Sequence, residues 1–312
     1  MRILITGISG QDGSIFSDLH RSRGDQVWGT ASSFASVHNP NIERIIVDRF
    51  EDPKVFNKIL DQIMPDRIYH LAAKHHSSTT TTGNGVKLER LMFECHVLVT
   101  RNILNWQLSN TTSKSLIALS SQMYEATQRE TVISETTPCK PQTYYGQTKL
   151  EAMKLLRAYR ENFQVNTFGA ILFNHTSKRS KKEFLFPSLA KSIAKVVRQE
   201  TNQISLADHT ALIDICHADE VCSGLSKLLD LDNSTDMLFA RGQLISISSL
   251  ILKTMKLLEF NRNYNLESQL EPALHRNFLC GDSSKAANLI NWSAKLEPEE
   301  IILQQVIEEL HL

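Results

Sequence analysis

A chain of 312 residues can bury a large core as one domain, or one domain plus a smaller lobe. Apolar residues make up 41% and charged residues 22%, and 34 basic side chains balance 34 acidic ones. That composition is ordinary for a soluble globular protein, and it argues against a nucleic-acid surface or a charged tail. No apolar run approaches the length of a membrane span. Met1 leads directly into a strand-like run, so no signal peptide is expected. The five cysteines, at 95, 139, 216, 222 and 280, form no Cys-x-x-Cys, and their odd number suits free thiols in a reducing cytoplasm. His75-His76 has no further ligand at a helpful spacing, so no metal is expected.

Arg2 to Thr6 reads as a buried strand. Gly7-Ile8-Ser9-Gly10-Gln11-Asp12-Gly13 follows, and then a helix with Ile15, Phe16 and Leu19 on one side. A strand, a glycine turn and a helix start in that order make an anion site. The glycines admit a close backbone approach, and the free N–H groups of the helix start face a pyrophosphate. Gln26 to Thr30 is a second strand. It ends at Gly29-Thr30-Ala31-Ser32-Ser33, with no acidic residue to hold ribose hydroxyls or repel a 2′-phosphate. That favours NADP over NAD, with Ser32 offering a hydroxyl.

Arg44 to Val47 reads as a third strand with Asp48 just after it, and Pro53 to Ile63 as a helix with proline in its first turn. A fourth strand, Arg67 to Leu71, ends in His70-Leu71-Ala72-Ala73, where small residues let a flat ligand lie against backbone. The polar run from Ser77 to Gly85 reads as a loop. Leu88, Leu91, Met92, Cys95, Leu98, Val99 and Ile103 then repeat at helical spacing over one long segment. Ser115 to Leu119 is a fifth strand, ending at Ser120-Ser121-Gln122-Met123-Tyr124. Residues 125 to 143, polar and holding Pro138 and Pro141, read as loop.

A helix from Tyr144 to Asn162 carries Tyr145 and Lys149 one turn apart on one face. An ammonium beside a phenol favours the phenolate, so the Tyr145 pKa is expected to fall toward the working pH and make it a proton donor or acceptor. Val165 to Phe173 is a sixth strand. Strands alternating with helices imply an α/β fold with a doubly wound parallel sheet, whose ligands sit at the carboxyl ends of the strands. Gly7, Ala72, Ser120 and Asn174 all fall at or just past such ends.

Beyond Asn174 the pattern changes. Lys178-Arg179-Ser180-Lys181-Lys182 is a basic cluster that reads as a solvated loop or as a phosphate clamp. Helices are expected at Phe184 to Val197, at Ala218 to Leu229 and from Glu297-Pro298 to the end, with a short strand at Met237 to Ala240. The organisation expected is a dinucleotide-binding domain over 1–173 and a smaller α/β substrate lobe over 174–312, partly interleaved with it.

These stretches together resemble the extended short-chain dehydrogenase/reductases that modify nucleotide sugars. Within them, Ile5-Thr6-Gly7-Ile8-Ser9-Gly10-Gln11-Asp12-Gly13-Ser14, Leu172-Phe173-Asn174-His175 and the late Gly281-Asp282-Ser283-Ser284-Lys285-Ala286 are similar to the GDP-mannose 4,6-dehydratase and GDP-4-keto-6-deoxymannose reductase branch. The resemblance implies a Rossmann-type fold, NAD or NADP as cofactor, and a nucleotide sugar, most readily a GDP-sugar, as substrate. It also implies a homodimer or homotetramer through the two long apolar helices. Ser120, Tyr145 and Lys149 match the catalytic set. Gly7, Ser9, Gly10, Gln11, Asp12, Gly13, Leu71, Ala72 and Ala73 fall on the cofactor side, with Asp48 at the adenine. His76, Ser121 and Asn174 fall on the substrate side.

The chain also departs from that pattern. Gln122 stands where the dehydratases carry a glutamate that removes the C5 proton, and an amide cannot accept a proton at neutral pH. Two phosphate-binding arginines are replaced by Glu271 and Ile213, with Lys178, Arg179, Lys181 or Arg276 left to compensate. His96 replaces an asparagine in the long helix. The readings left open are a dehydratase-like enzyme working at C4, a 4-keto-sugar reductase without dehydration, an oxidoreductase on a non-nucleotide substrate, and a non-catalytic cofactor-binding relative.

Overall fold

The computed structural model of the protein describes residues 1–31, 43–47, 51–75, 85–125, 131–268 and 278–311. In its first part, β1 (Arg2–Thr6), β2 (Gln26–Ala31), β3 (Glu43–Ile46), β4 (Arg67–His70) and β5 (Lys114–Ser120) alternate with α1 (Gln11–Ser22), α2 (Pro53–Ile63), α3 (Gly85–Phe93) and α4 (Val99–Gln107). After β6 (Thr131–Ile133) come α5 (Tyr144–Phe163), β7 (Thr167–Leu172) and β8 (Asn174–Thr176). The remainder holds α6 (Leu185–Val197), β9 (Gln203–Leu206), β10 (Leu212–Ile213), β11 (Ile215–His217), α7 (Ala218–Leu228) and β12 (Asp236–Phe239). It closes with β13 (Ile245–Ser246), α8 (Ile247–Leu257), β14 (Asn265–Ser268), β15 (Leu279–Gly281), α9 (Ser284–Ile290) and α10 (Pro298–His311).

Seven strands form one sheet in the order β12-β7-β5-β4-β1-β2-β3, every neighbouring pair parallel. Parallel strands covered on both faces must be apolar on both faces, and β1 and β7 show it. Ile3 and Ile5 pack on one face with Phe16 of α1, with Val221 and Leu225 of α7 and with Ile290 of α9. Leu4 packs on the other with Phe56 and Leu60 of α2, Ile103 of α4 and Leu156 of α5. This is the Rossmann-type doubly wound arrangement. The order reverses between β1 and β4, which opens a crevice at their carboxyl ends. A separate core, with Leu189 of α6, Ile251 of α8 and Ile302 and Val306 of α10, fills the smaller C-terminal lobe.

Local chemistry sets the helix ends that matter for the site. Thr143 caps α5, its hydroxyl accepting from Gly146 N–H at 3.0 Å. Asp52 caps α2 by accepting from Lys54 N–H, with Pro53 in the first turn. Asp236 at the start of β12 receives Arg157 at 2.5 Å and Arg160 at 2.8 Å, which fastens α5 to the sheet edge.

Two expectations change. The segment expected as one long helix is two helices joined by a π turn, Glu94–Leu98. The stretch expected as loop contains β6, which pairs with β15. The late strand, Asp236–Phe239, joins the edge of the main sheet beside β7. No helix among the described residues is long and apolar enough to cross a membrane.

Candidate active site

Gly7 leaves β1 at φ 76°, a conformation that side chains resist. A Cβ there would lie 2.8 Å from the Ala72 Cα, so the ends of β1 and β4 meet backbone to backbone. A Cβ on Gly13 would lie 2.2 Å from the Gly7 carbonyl oxygen, so α1 folds directly back over the turn. Gly10 is the N-cap of α1 and offers no side chain to its free N–H groups. These N–H groups open onto a cleft of about 640 Å³. An uncapped helix start above a glycine turn fits a pyrophosphate, so the residues present fit a dinucleotide.

The first turn of α1 is held in place from across the chain. His175 donates from Nδ1 to the Phe173 carbonyl at 2.8 Å and from Nε2 to Asp12 at 3.0 Å. Burial would push His175 down, but the Asp12 carboxylate raises it to about 9. Asp12 is held below the usual carboxylate range despite its burial, chiefly by His175. Gln11 adds bonds to Asp12 and Ser177. At the end of β4, His70 donates from Nε2 to the Cys95 carbonyl at 3.0 Å and accepts at Nδ1 from Thr6 at 2.7 Å. The Thr6 hydroxyl oxygen accepts from Ala72 N–H at 3.3 Å.

The candidate catalytic groups meet on the same cleft. Ser120 ends β5, its hydroxyl oxygen accepting from Gln122 N–H at 3.2 Å, and it lies near enough to the Tyr145 hydroxyl to draw that group's pKa down. Lys149 is buried, donates from Nζ to the Ala118 carbonyl at 2.7 Å, and lies 5.7 Å from the centre of the Tyr145 ring. Burial pulls Lys149 down to about 8. The expected lowering of Tyr145 is not found. Burial of the phenol, with Cys95 adding to it, pushes its pKa above the ordinary value, and Ser120 opposes this only in part. The Lys149 ammonium is engaged by a carbonyl rather than by the phenol oxygen.

Gln122 lines the cleft between Ser120 and α5, and its Oε1 accepts from the Thr143 hydroxyl at 3.2 Å. A Cβ on Gly146 would sit 2.1 Å from the Gln122 carbonyl oxygen, so α5 packs on the backbone at this position. Glu125, a carboxylate nearby in sequence, is absent from the lining and pairs with Lys140 at 3.5 Å.

Ser9, Gln11, Leu71, Ala72, Ala73, Ser121 and Asn174 all line the cleft. Lys178 and Arg179 do not. Arg179 turns to Asp18 of α1 at 2.7 Å, and Lys178 opens onto a small separate cavity beside Gln305. The turn that carries the basic cluster instead presents Ser180 and Lys181, opposite Lys74 and His75. His75 packs edge-on against Phe184 at 4.8 Å. Of these four, Lys181 was named from the sequence among the residues left to compensate, and Lys74, His75 and Ser180 were not named for the cleft. The one available signal was position: Lys74 and His75 directly follow the small residues at the end of β4. Ser32, Asp48, His76 and Arg276 lie outside the described residues. Among the described residues no group of three or more His, Cys, Asp or Glu could hold a metal ion.

The family model described as GDP-mannose 4,6 dehydratase matches residues 4–305. GDP-mannose 4,6 dehydratase 2 of Caenorhabditis elegans is 26% identical over 350 residues, covering 99% of this chain and 89% of the relative. The human GDP-mannose 4,6 dehydratase is 25% identical over 351 residues, covering 99% and 91%. Among solved structures, dTDP-glucose 4,6-dehydratase from Bacillus anthracis in complex with NAD superposes with a TM-score of 0.80 at 15% identity, covering 98% of this chain and 96% of that one. UDP-glucuronic acid 4-epimerase from Bacillus cereus gives 0.80 at 20% identity, covering 100% and 99%.

Proposed function

The chain belongs to the GDP-mannose 4,6 dehydratase family, and from that premise we propose that it is an NAD(P)-dependent enzyme moving a hydride at C4 of a nucleotide sugar, a GDP-sugar first. The observation that carries this is the convergence of Ser120, Tyr145 and Lys149 on one cleft with the glycine turn and the open start of α1.

The turn from Gly7 to Gly13 would hold the pyrophosphate, and Lys149 the ribose next to the nicotinamide. When bound, the nicotinamide supplies the site that gives or takes hydride. Tyr145 holds or takes the proton of the C4 oxygen, and Ser120 hydrogen-bonds that same oxygen. A buried phenol that keeps its proton suits donation to a C4 carbonyl, which is the reductive direction. NADP is preferred in this reading because Gly29 to Ser33 offers no acid to repel a 2′-phosphate.

Gln122 divides the two outcomes open to such a site. Removal of a C5 proton needs a base where this amide sits, and a missing positioned base slows such a step by roughly 10²–10⁴. The proposed enzyme is therefore a poor dehydratase and a competent C4 reductase. Purified protein with NADPH and a GDP-4-keto-6-deoxy sugar, followed by mass spectrometry, should show reduction. GDP-mannose with NADP should give little 4-keto-6-deoxy product, and Gln122→Glu should raise it. Conversion of GDP-mannose by the wild type at ordinary enzyme rates, about 1–10³ per second, overturns the reading.

A further inference from the structure

His96 is 1% exposed and lies inside the π turn that joins α3 to α4. Such one-turn widenings break the helical ladder and need a compensating arrangement. Here the Thr100 hydroxyl donates to the His96 carbonyl at 2.6 Å, and Val99 N–H reaches back to the Glu94 carbonyl. The neighbouring Cys95 carbonyl receives His70, so the turn grips the end of β4.

The bonds of the His96 ring run in one direction only. Its Nε2 lies 3.2 Å from the backbone N–H of Lys74, a group that can only donate, so Nε2 carries no proton. The proton is therefore on Nδ1, 2.8 Å from the Thr148 hydroxyl oxygen, which accepts it. Thr148 passes its own hydrogen to the Tyr145 carbonyl at 2.9 Å. The chain runs from the Lys74 loop through a neutral imidazole to the first turn of α5, with every donor and acceptor used. The same ring meets the Tyr145 ring edge to face, centroids 5.2 Å apart and planes at 85°. Burial, and then the Lys149 ammonium, hold His96 far below its ordinary pKa, which agrees with the neutral form.

We propose that His96 is a positioning residue: its Nδ1-protonated ring locks the Tyr145 side chain and the start of α5 to the cleft loop at Lys74, which keeps the phenol facing Ser120 across the cleft. The inference rests on the reading of Tyr145 as the group that holds the proton at C4. A misplacement of such a group by an ångström costs on the order of 10²-fold in rate.

Two kinds of measurement test it. In steady-state reduction of a 4-keto-sugar nucleotide, His96→Ala should lower kcat by about 10–10²-fold and leave KM within about threefold. His96→Asn keeps an N–H donor at the Nδ1 position toward Thr148 but is too short to reach Lys74 N–H, and should recover the part of the loss that the Thr148 bond carries. Thr148→Val removes the hydroxyl that links His96 to the Tyr145 carbonyl and should lower kcat in the same way, with no added loss in the double variant. Wild-type kcat in His96→Ala, or an asparagine variant no better than alanine, overturns the proposal. The second measurement needs no substrate. Nitrogen-15 NMR of histidine-labelled protein should show His96 neutral and protonated on Nδ1 between pH 6 and about 9. Carbon-13 NMR of the tyrosine Cζ should show the Tyr145 signal displaced in His96→Ala and in Thr148→Val. An Nε2-protonated ring, or an unmoved Tyr145 signal, overturns the positioning role even if no sugar nucleotide is turned over. Expected NMR signatures in a protein inactive on every sugar leave the positioning intact and reject only the proposed activity.

Discussion

Replacing His175 by glutamine removes the positive charge beside Asp12 while keeping a polar side chain. The two ring nitrogens of His175 each meet an acceptor, Phe173 O and Asp12, so the folded protein holds the ring as an imidazolium. Its folded pKa is about 9 against an ordinary value of 6.5. A raised pKa adds stability that is fully present below pH 6.5 and is lost as pH rises through about 9. The shift corresponds to about 3 kcal/mol at its plateau, and only about a tenth of that remains when pH reaches the folded value. Neither side chain is more than 20% exposed, so solvent screening removes little of it. The gap in unfolding free energy between wild type and His175→Gln should narrow by about 2 kcal/mol from pH 7 to 9. Urea unfolding followed by circular dichroism at several pH values measures that gap. Asp12, held below the usual carboxylate range in the wild type, stays ionised across the window there. A gap that stays constant with pH refutes the ion pair as described. His175 and Asp12 also hold the helix start over the cleft, so dinucleotide affinity in the wild type should fall over the same pH range.

Gly10→Glu should abolish NADP binding by calorimetry while the protein stays folded, since a Cβ there meets only the Gly7 carbonyl oxygen at 3.2 Å. Gly13→Ala should instead lower thermal stability as well, because its Cβ would fall 2.2 Å from that same oxygen; a fully stable Gly13→Ala protein would show that the turn is looser than described. Asp236→Asn leaves Arg157 and Arg160 without their carboxylate and should cost about 2 kcal/mol, below the range for fully buried pairs because Arg157 is partly exposed. With Val86 and Phe93 exposed on α3, light scattering at micromolar concentration should give a dimer formed through α3, α4 and α5, and a monomer would count against that assembly.

The first half of the fold was legible because its signals are local. The strands are short apolar runs, most changes of direction carry glycine, proline or a run of Ser, Thr and Asn, and a parallel sheet covered on both faces needs little else. Thr143 before α5 and Asp52-Pro53 before α2 are readable caps. The second half was less legible because its strands are two to four residues long and pair with distant partners. β6 pairs with β15 from the far end of the chain, and no turn residue near Thr131 announces it. The π turn has no sequence pattern of its own, since its apolar residues keep helical spacing on either side.

The same division runs through the site. Glycine spacing and the Tyr145–Lys149 pair are short-range, and the structure brings both to one cleft. The Asp12–His175 pair joins residues 163 apart, and only the fold reveals that one completes the other. In the basic turn, charge alone could not say which side chain faces inward: Arg179 is taken by Asp18, and Lys181 is left to the cleft. The tyrosine shows the limit of spacing arguments. A lysine one turn away predicts a lowered pKa, yet desolvation of the phenol is the larger effect and reverses the direction. That reversal has a chemical consequence that Gln122 shares. On the proposed reading, a tyrosine that keeps its proton and an amide that cannot take one both favour delivering a proton to a C4 oxygen over removing protons from a sugar, and the expected outcome is reduction rather than elimination.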